Sequence, residues 1–305
     1  MGLHNSLVKL FNSVNGKVDT NRLKKKTPFS DIETFVDIPY TSSNNKFHLL
    51  DVYRPKNISD KLPIIIDVHG GAWIYGTKEI NKHYCMGLAS HNFVVVNISY
   101  RLISEGNDGT FPNILEDVFA AFNWVENNIQ DYQGDLNNVF LTGDSAGAHL
   151  SALALSAIYT ESFASKLNVH TDLNFRAAAL TCGVFDMEKF NKMSLPATKY
   201  LFKLFLGEDY KKSQFLPHIS IKNNNLEAFP PIFLNTTDGD FMKGQVASFY
   251  EEIKKRSKNE VELLHIKKPT TNKLAHVYSI LFPEYEESVK TTEALIAFFK
   301  KYIIK

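Results

Sequence analysis

The chain predicts an α/β fold: a mainly parallel, eight-stranded sheet with helices on both faces and an inserted helical cap. Three observations carry this. Apolar strand-like runs alternate with helix-period segments from residue 63 onward. The later runs are almost continuously apolar, as strands are when helices cover both faces. The first two runs are separated only by Thr41-Ser42-Ser43-Asn44-Asn45, a turn-rich gap short enough for an antiparallel hairpin. The expected organisation is an N-terminal helical or cap segment over 1–33, then one domain over 34–305 with its cap insertion at about 185–229.

The N-terminus comes first. Leu3, Leu7, Leu10, Phe11 and Val14 share one face of a short amphipathic helix, and the intervening polar residues deny it the apolar core of a signal peptide. The hairpin strands are Thr34 to Tyr40 and Phe47 to Tyr53. The remaining strands are Pro63 to Val68, Phe93 to Ser99, Val139 to Thr142, Ala177 to Thr181, Ile232 to Thr236 and Val261 to Ile266. Pro112 opens a helix that runs to Asn128 with Leu115, Val118, Phe119, Phe122 and Val125 on one face. Gly244 to Lys255 and Glu284 to Tyr302 carry similar stripes. Phe185 to Phe229 breaks the rhythm: it is too long for a simple crossover and rich in large apolar residues such as Met187, Met193, Phe202 and Phe205, which is why it reads as a cap.

Composition narrows the function classes. A formal charge of +1 lacks the basic excess that phosphate backbones demand, so no nucleic-acid partner is expected. Lys24-Lys25-Lys26 reads as a solvated linker. No apolar run approaches the roughly 18 residues of a membrane span, and no membrane partner is expected. Cys85 and Cys182 stand apart without metal or redox spacing, which suits two reduced thiols and a cytoplasmic location. No His/Cys/Asp cluster has metal-ligand spacing and no glycine loop suits a nucleotide, so neither metal nor cofactor is expected. Oligomeric state is not legible.

Gly143-Asp144-Ser145-Ala146-Gly147 lies between an apolar strand run and the small-residue stretch Ala148 to Leu155. This is G-x-S-x-G where a strand turns sharply into a helix and lifts a serine Oγ to the surface. The motif alone recurs by chance in about one chain in ten of this length, so its neighbours matter. A serine needs a base, and the base an orienting carboxylate. After Ser145 the histidines beyond the next plausible acids are His265 and His276. His265 is inside a strand; His276 follows the loop Pro269-Thr270-Thr271-Asn272-Lys273, where function is more often mounted, and is the expected base. The acid belongs just past Ile232 to Thr236, where Asp238 and Asp240 both stand, and composition does not separate them. Oxyanion donors are expected from Gly70, Gly71 and Ala72 in His69-Gly70-Gly71-Ala72-Trp73, together with the N–H of Ala146.

With Leu50-Asp51-Val52-Tyr53-Arg54-Pro55, Ser99-Tyr100-Arg101-Leu102, Phe111-Pro112 and Leu115-Glu116-Asp117 added, the chain from about Phe47 onward resembles the hormone-sensitive-lipase-like branch of the α/β-hydrolases, which includes bacterial carboxylesterases. The resemblance implies the α/β-hydrolase fold and hydrolysis of short-chain carboxylic esters through an acyl-serine, with a small-molecule ester as partner. It also favours Asp240 as the acid, because Phe241-Met242 and then Phe249 follow it as an apolar pair and an aromatic do in the family; Asp238 is the alternative. Two departures stand out: Ala72 where the family has a third glycine, and Val277-Tyr278 after the histidine where it has Gly-Phe. Asp117, Asp144, Tyr100 and Arg101 are expected in structural roles. The competing functions are an arylformamidase or amidase on the same fold, and a non-catalytic small-molecule-binding protein.

Overall fold

A computed structural model describes residues 2–25, 29–103, 109–193, 198–267 and 274–304. Loop residues 269–273 and Lys26, singled out above, lie outside them. Eight strands, β1 (Ile32–Pro39), β2 (Leu49–Pro55), β3 (Leu62–Val68), β4 (Val94–Ile98), β5 (Gly134–Asp144), β6 (Phe175–Thr181), β7 (Ile232–Thr237) and β8 (Val261–Ile266), form one sheet in the order β1-β2-β4-β3-β5-β6-β7-β8. β2 runs antiparallel to β1 and β4; every other neighbouring pair is parallel. This is the α/β-hydrolase architecture.

The sheet is buried on both sides because its strands alternate between two cores. Ile64, Ile66, Val68, Val139 and Leu141 face one core with α3 (Asn113–Asn128), α4 (Ala146–Tyr159) and α8 (Lys243–Arg256). Ile65, Phe140 and Phe233 face the other, with α2 (Lys82–Ala89) and α10 (Glu286–Lys300). Parallel strands thus need apolar residues at successive positions, which is the continuous pattern read from the sequence. The remaining helices are α1 (Gly2–Lys24), α5 (Glu161–Leu167), α6 (Met187–Asn191), α7 (Thr198–Leu206) and α9 (Tyr278–Leu281).

Two regions sit over the strand ends that carry the site. Between β6 and β7 the chain forms α6, α7 and short 3-10 turns. Phe205 of α7 packs on Trp73 (5.2 Å between ring centroids) and Phe111 (5.0 Å), and Phe190 of α6 packs on Trp73 at 5.6 Å. His149 of α4 donates from Nε2 to the carbonyl of Ile219, tying this segment to the helix that follows Ser145. The second region is α1, which is longer than its sequence stripe implied. It docks through polar side chains: Asn12 donates to the Ile74 carbonyl (3.1 Å), Asp19 accepts from the Tyr75 hydroxyl (2.7 Å), and Arg22 donates to the Ile80 carbonyl (2.8 Å).

Candidate active site

Three loops at the carboxyl ends of β5, β7 and β8 converge. Ser145 occupies the turn from β5 into α4 with φ +50 and ψ −113, a strained conformation held by its neighbours. The turn closes only because the flanking residues lack side chains. A Cβ on Gly147 would lie 1.9 Å from the Val68 carbonyl oxygen, and one on Gly143 would lie 2.7 Å from the backbone of Gly147. The Ser145 N–H donates to the Thr181 carbonyl (2.8 Å), fixing the elbow to β6.

Ser145 Oγ lies 2.8 Å from His276 Nε2, and His276 Nδ1 lies 2.7 Å from Asp240 Oδ1. Asp240 also accepts from Thr236 Oγ1 (2.7 Å) and from the Met242 N–H (2.8 Å). Burial opposes its ionisation, but the hydrogen bonds from His276, Thr236 and Met242 prevail and hold its carboxyl below the usual range. An ionised carboxylate only accepts, so Nδ1 carries the imidazole proton and the Nε2 lone pair faces the serine hydroxyl. This is the arrangement that lets a histidine take a serine proton and return it to a leaving group.

Asp238 and His265 are brought together elsewhere. His265 Nε2 lies 3.0 Å from Asp238 Oδ1, and Lys243 Nζ donates to the Asp238 carbonyl (2.7 Å). The two aspartates and two histidines that sequence could only rank thus form separate pairs, and only the Asp240–His276 pair reaches Ser145.

The loop from His69 to Trp73, expected to supply oxyanion donors, has one N–H already engaged. The Gly70 N–H donates to Asp144 Oδ1 (2.9 Å), so it is spent on structure and not available to an oxyanion. Asn81 donates to the same oxygen (2.8 Å) and to Asp67 (2.9 Å), locking the loop to α2. Gly71, Ala72 and Ala146 remain of the expected donors. Gly71, Ala72 and Trp73 all have positive φ, of +117, +52 and +62. The family's third glycine is explained by that geometry, and Ala72 adopts it at a cost of about 1 kcal/mol. The loop is further braced by Tyr100, whose hydroxyl donates to the His69 carbonyl (2.8 Å) and whose ring stacks on His69. Arg101 and Asp117 form a bidentate pair away from the triad residues.

Sequence reasoning did not pick out Thr236, Asn81 or Cys182. Thr236 and Asn81 act through side-chain bonds between distant segments, and no local pattern signals them. Cys182 is buried and stands with Asp240 and His276 in a group whose donor atoms lie within 4.8 Å of one another, the kind of set that could hold a metal ion. No spacing rule could have found it, since the three residues come from three loops, and the 2.7 Å Asp240–His276 bond already occupies two of the donors with each other.

The BD-FAE family model matches residues 50–243, which span the oxyanion loop, the serine elbow and Asp240. An isoprenylcysteine alpha-carbonyl methylesterase of Arabidopsis thaliana is 29% identical over 200 residues, 63% of this chain and 46% of that protein. A kynurenine formamidase of Salmo salar is 25% identical over 233 residues, covering 76% of this chain and 69% of that one. Among solved structures, esterase B from Lactobacillus rhamnosis inhibited by a C4-C4 tributyrin phosphonate superposes with a TM-score of 0.91 at 23% identity, over 99% of this chain and 96% of that one. The chain spans less than half the length of several of the curated relatives it matches.

Proposed function

We propose that this chain, which belongs to the BD-FAE family of α/β-hydrolases, is a serine-dependent carboxylic-ester hydrolase. One observation carries the reading: His276 bridges Ser145 Oγ at 2.8 Å and the buried Asp240 carboxylate at 2.7 Å. Ser145 Oγ attacks the ester carbonyl carbon while its proton passes to His276 Nε2. The developing oxyanion is stabilised by N–H groups of Gly71, Ala72 and Ala146. Collapse breaks the carbon–alkoxide bond, and His276 hands its proton to the departing alcohol. Water then attacks the acyl-Ser145, giving its proton to the same histidine, and the carboxylic acid leaves as the serine regains its hydrogen.

The preferred acyl group is short. Trp73, which follows the oxyanion loop, is walled by Phe190, Phe205 and His149 within 5.2–5.6 Å between ring centroids, so depth beside the elbow is limited. Each added methylene gains about 0.8 kcal/mol of burial until the wall is met, after which overpacking opposes it by roughly 1–3 kcal/mol. The short-chain phosphonate borne by the related esterase B agrees with this. No helix among the described residues is long and apolar enough to cross a membrane. A cytoplasmic location is part of the same proposal, since Cys85 and Cys182 are free and buried.

The test is a fluorophosphonate probe read by intact mass and peptide mapping, followed by a panel of esters of graded acyl length alongside a formyl-amide. One adduct at Ser145 and fastest turnover of soluble short esters is the expected outcome. Faster turnover of the formyl-amide would replace the ester reading with the amidase one, and no adduct would replace it with a binding protein.

A further inference from the structure

α1 is amphipathic the wrong way round. Its protein-facing side is polar, carrying Asn12, Asp19 and Arg22, which hold Ile74, Tyr75 and Ile80. Its solvent side mixes polar residues with large apolar ones: Leu10, Val14 and Val18 are 59%, 52% and 56% exposed, and Phe11, 41% exposed, stands at the boundary where its ring edge meets Tyr75 at 6.2 Å. These are four of the eight large apolar side chains that stand exposed among the described residues. They fall on one stripe because positions 10, 14 and 18 repeat at helical spacing with 11 beside them. Exposing such a stripe is unfavourable in water, so the helix has the composition of one that meets an apolar phase.

The charge around the stripe says which phase. Lys9, Lys17, Lys24 and Lys25 are exposed on the same segment, and its sole acidic residue, Asp19, is buried on the opposite side against Arg22 and Tyr75. The whole chain carries a formal charge of only +1, so this cationic concentration is local. Exposed large apolar side chains with lysines on the adjoining surface suit an anionic lipid surface, whose acyl boundary would take the former and whose headgroups the latter. A second copy of the chain fits poorly. One face of a 23-residue helix offers about 35 Å by 10 Å, well short of the roughly 800 Å² per partner of a stable interface, and the lysines would face their own kind.

We propose that α1 docks the protein on an anionic lipid surface, with Leu10, Phe11, Val14 and Val18 inserted and the lysines against the headgroups. This revises the expectation of no membrane partner: the chain rests on the surface without spanning it. The placement joins the surface to the site, since α1 grips Ile74 and Tyr75, and the Tyr75 N–H donates to the Gly71 carbonyl of the oxyanion loop (2.9 Å). Docking itself does not depend on the ester-hydrolase reading.

The experiment is co-sedimentation of the full chain with vesicles of phosphatidylcholine alone or with about 30% phosphatidylglycerol, at about 0.1 M salt and at 1 M. Binding to the anionic vesicles that weakens at high salt is expected. The triple variant Leu10→Gln, Val14→Gln, Val18→Gln should bind at least about tenfold more weakly, with melting temperature and soluble-ester turnover close to wild type. Lys17→Glu with Lys24→Glu should abolish the preference for anionic vesicles. Absence of binding, or undiminished binding by the triple variant, overturns the proposal. So does a concentration-dependent dimer in light scattering that the triple variant dissolves, which would assign the stripe to a second copy. Turnover of soluble ester in the same samples reports separately on the proposed activity.

Discussion

Two histidine–aspartate pairs lie at the ends of β7 and β8, made from the same residue types and placed two residues apart on the acid side. His276–Asp240 measures 2.7 Å and His265–Asp238 measures 3.0 Å, so hydrogen-bond length does not distinguish them. Surroundings do. The Asp240 side chain is fully buried, receives two further hydrogen bonds from Thr236 and Met242, and orients an imidazole whose other nitrogen meets Ser145. The Asp238 side chain is 36% exposed, its histidine 27% exposed, and Lys243 lies alongside at 3.8 Å. A pair open to water is worth roughly 0–1 kcal/mol to the fold and orients nothing reactive. What separates the two pairs is burial plus a third partner.

The largest test of that contrast removes the third partner. Ser145→Ala should lower kcat by several orders of magnitude while leaving the melting temperature near that of wild type, measured with a soluble short-chain ester and by calorimetry. Ester turnover comparable to wild type in that variant would sink the assignment. Next, Asp240→Asn should reduce kcat by up to about 10⁴-fold, because an amide can hold the imidazole in the wrong tautomer. Asp238→Asn should change kcat by no more than a few-fold. A reversed ranking would hand the acid's role to the exposed pair.

The pH profile sharpens the same comparison at a smaller scale. Asp240 is held below the usual carboxyl range, so it remains ionised well into acid. The other histidines near the elbow, His69 and His149, are driven down to about 4 by burial and stay neutral at working pH. Asp67, which shares Asn81 with Asp144 of the elbow, is instead pushed up to about 7 by burial. The value of kcat/KM for a soluble short-chain ester should therefore be compared between wild type and Asp67→Asn from about pH 8 to about 5. A limb that the variant loses would belong to this buried carboxyl network and not to the pair that meets Ser145. The smallest expected effect is from His265→Gln. Turnover should stay within about twofold of wild type and the melting temperature should drop by a few degrees at most. A large loss of turnover would show that the outer pair reaches the chemistry through the β8 loop.

Much of this architecture is legible in short windows of sequence. All eight strands overlap the runs read from the sequence, and for the central ones the reason is that a sheet covered on both faces demands apolar residues at successive positions. β1 at the edge alternates instead, and β5 begins at Gly134, ahead of its apolar run. The order of the strands is not legible, since β3 crossing to the far side of β4 depends on helix packing and not on either strand's own residues. The serine is the most readable element of the candidate site. G-x-S-x-G is a short motif with a steric cause: Gly143 is required by the backbone of the turn itself and Gly147 by that of Val68 on the neighbouring strand. Gly70 was less readable. Its glycine looks like an oxyanion residue, yet Asp144, 74 positions away, takes its N–H.

Position along the chain is enough to place a serine on an elbow, for the two glycines mark where backbone must pass close to backbone, Gly143 within the turn and Gly147 against Val68. It is enough, too, to narrow the base to two histidines and the acid to two aspartates, since these must follow strands whose apolar runs are visible. Choosing between the members of each pair depends on how two loops from β7 and β8 settle against the elbow, because burial and hydrogen bonding belong to the assembled fold. The same is true of α1. Its apolar periodicity is plain in the sequence, but periodicity carries no direction, and only the contacts of Asn12, Asp19 and Arg22 with the loop from Ile74 to Ile80 leave Leu10 and Val14 facing outward.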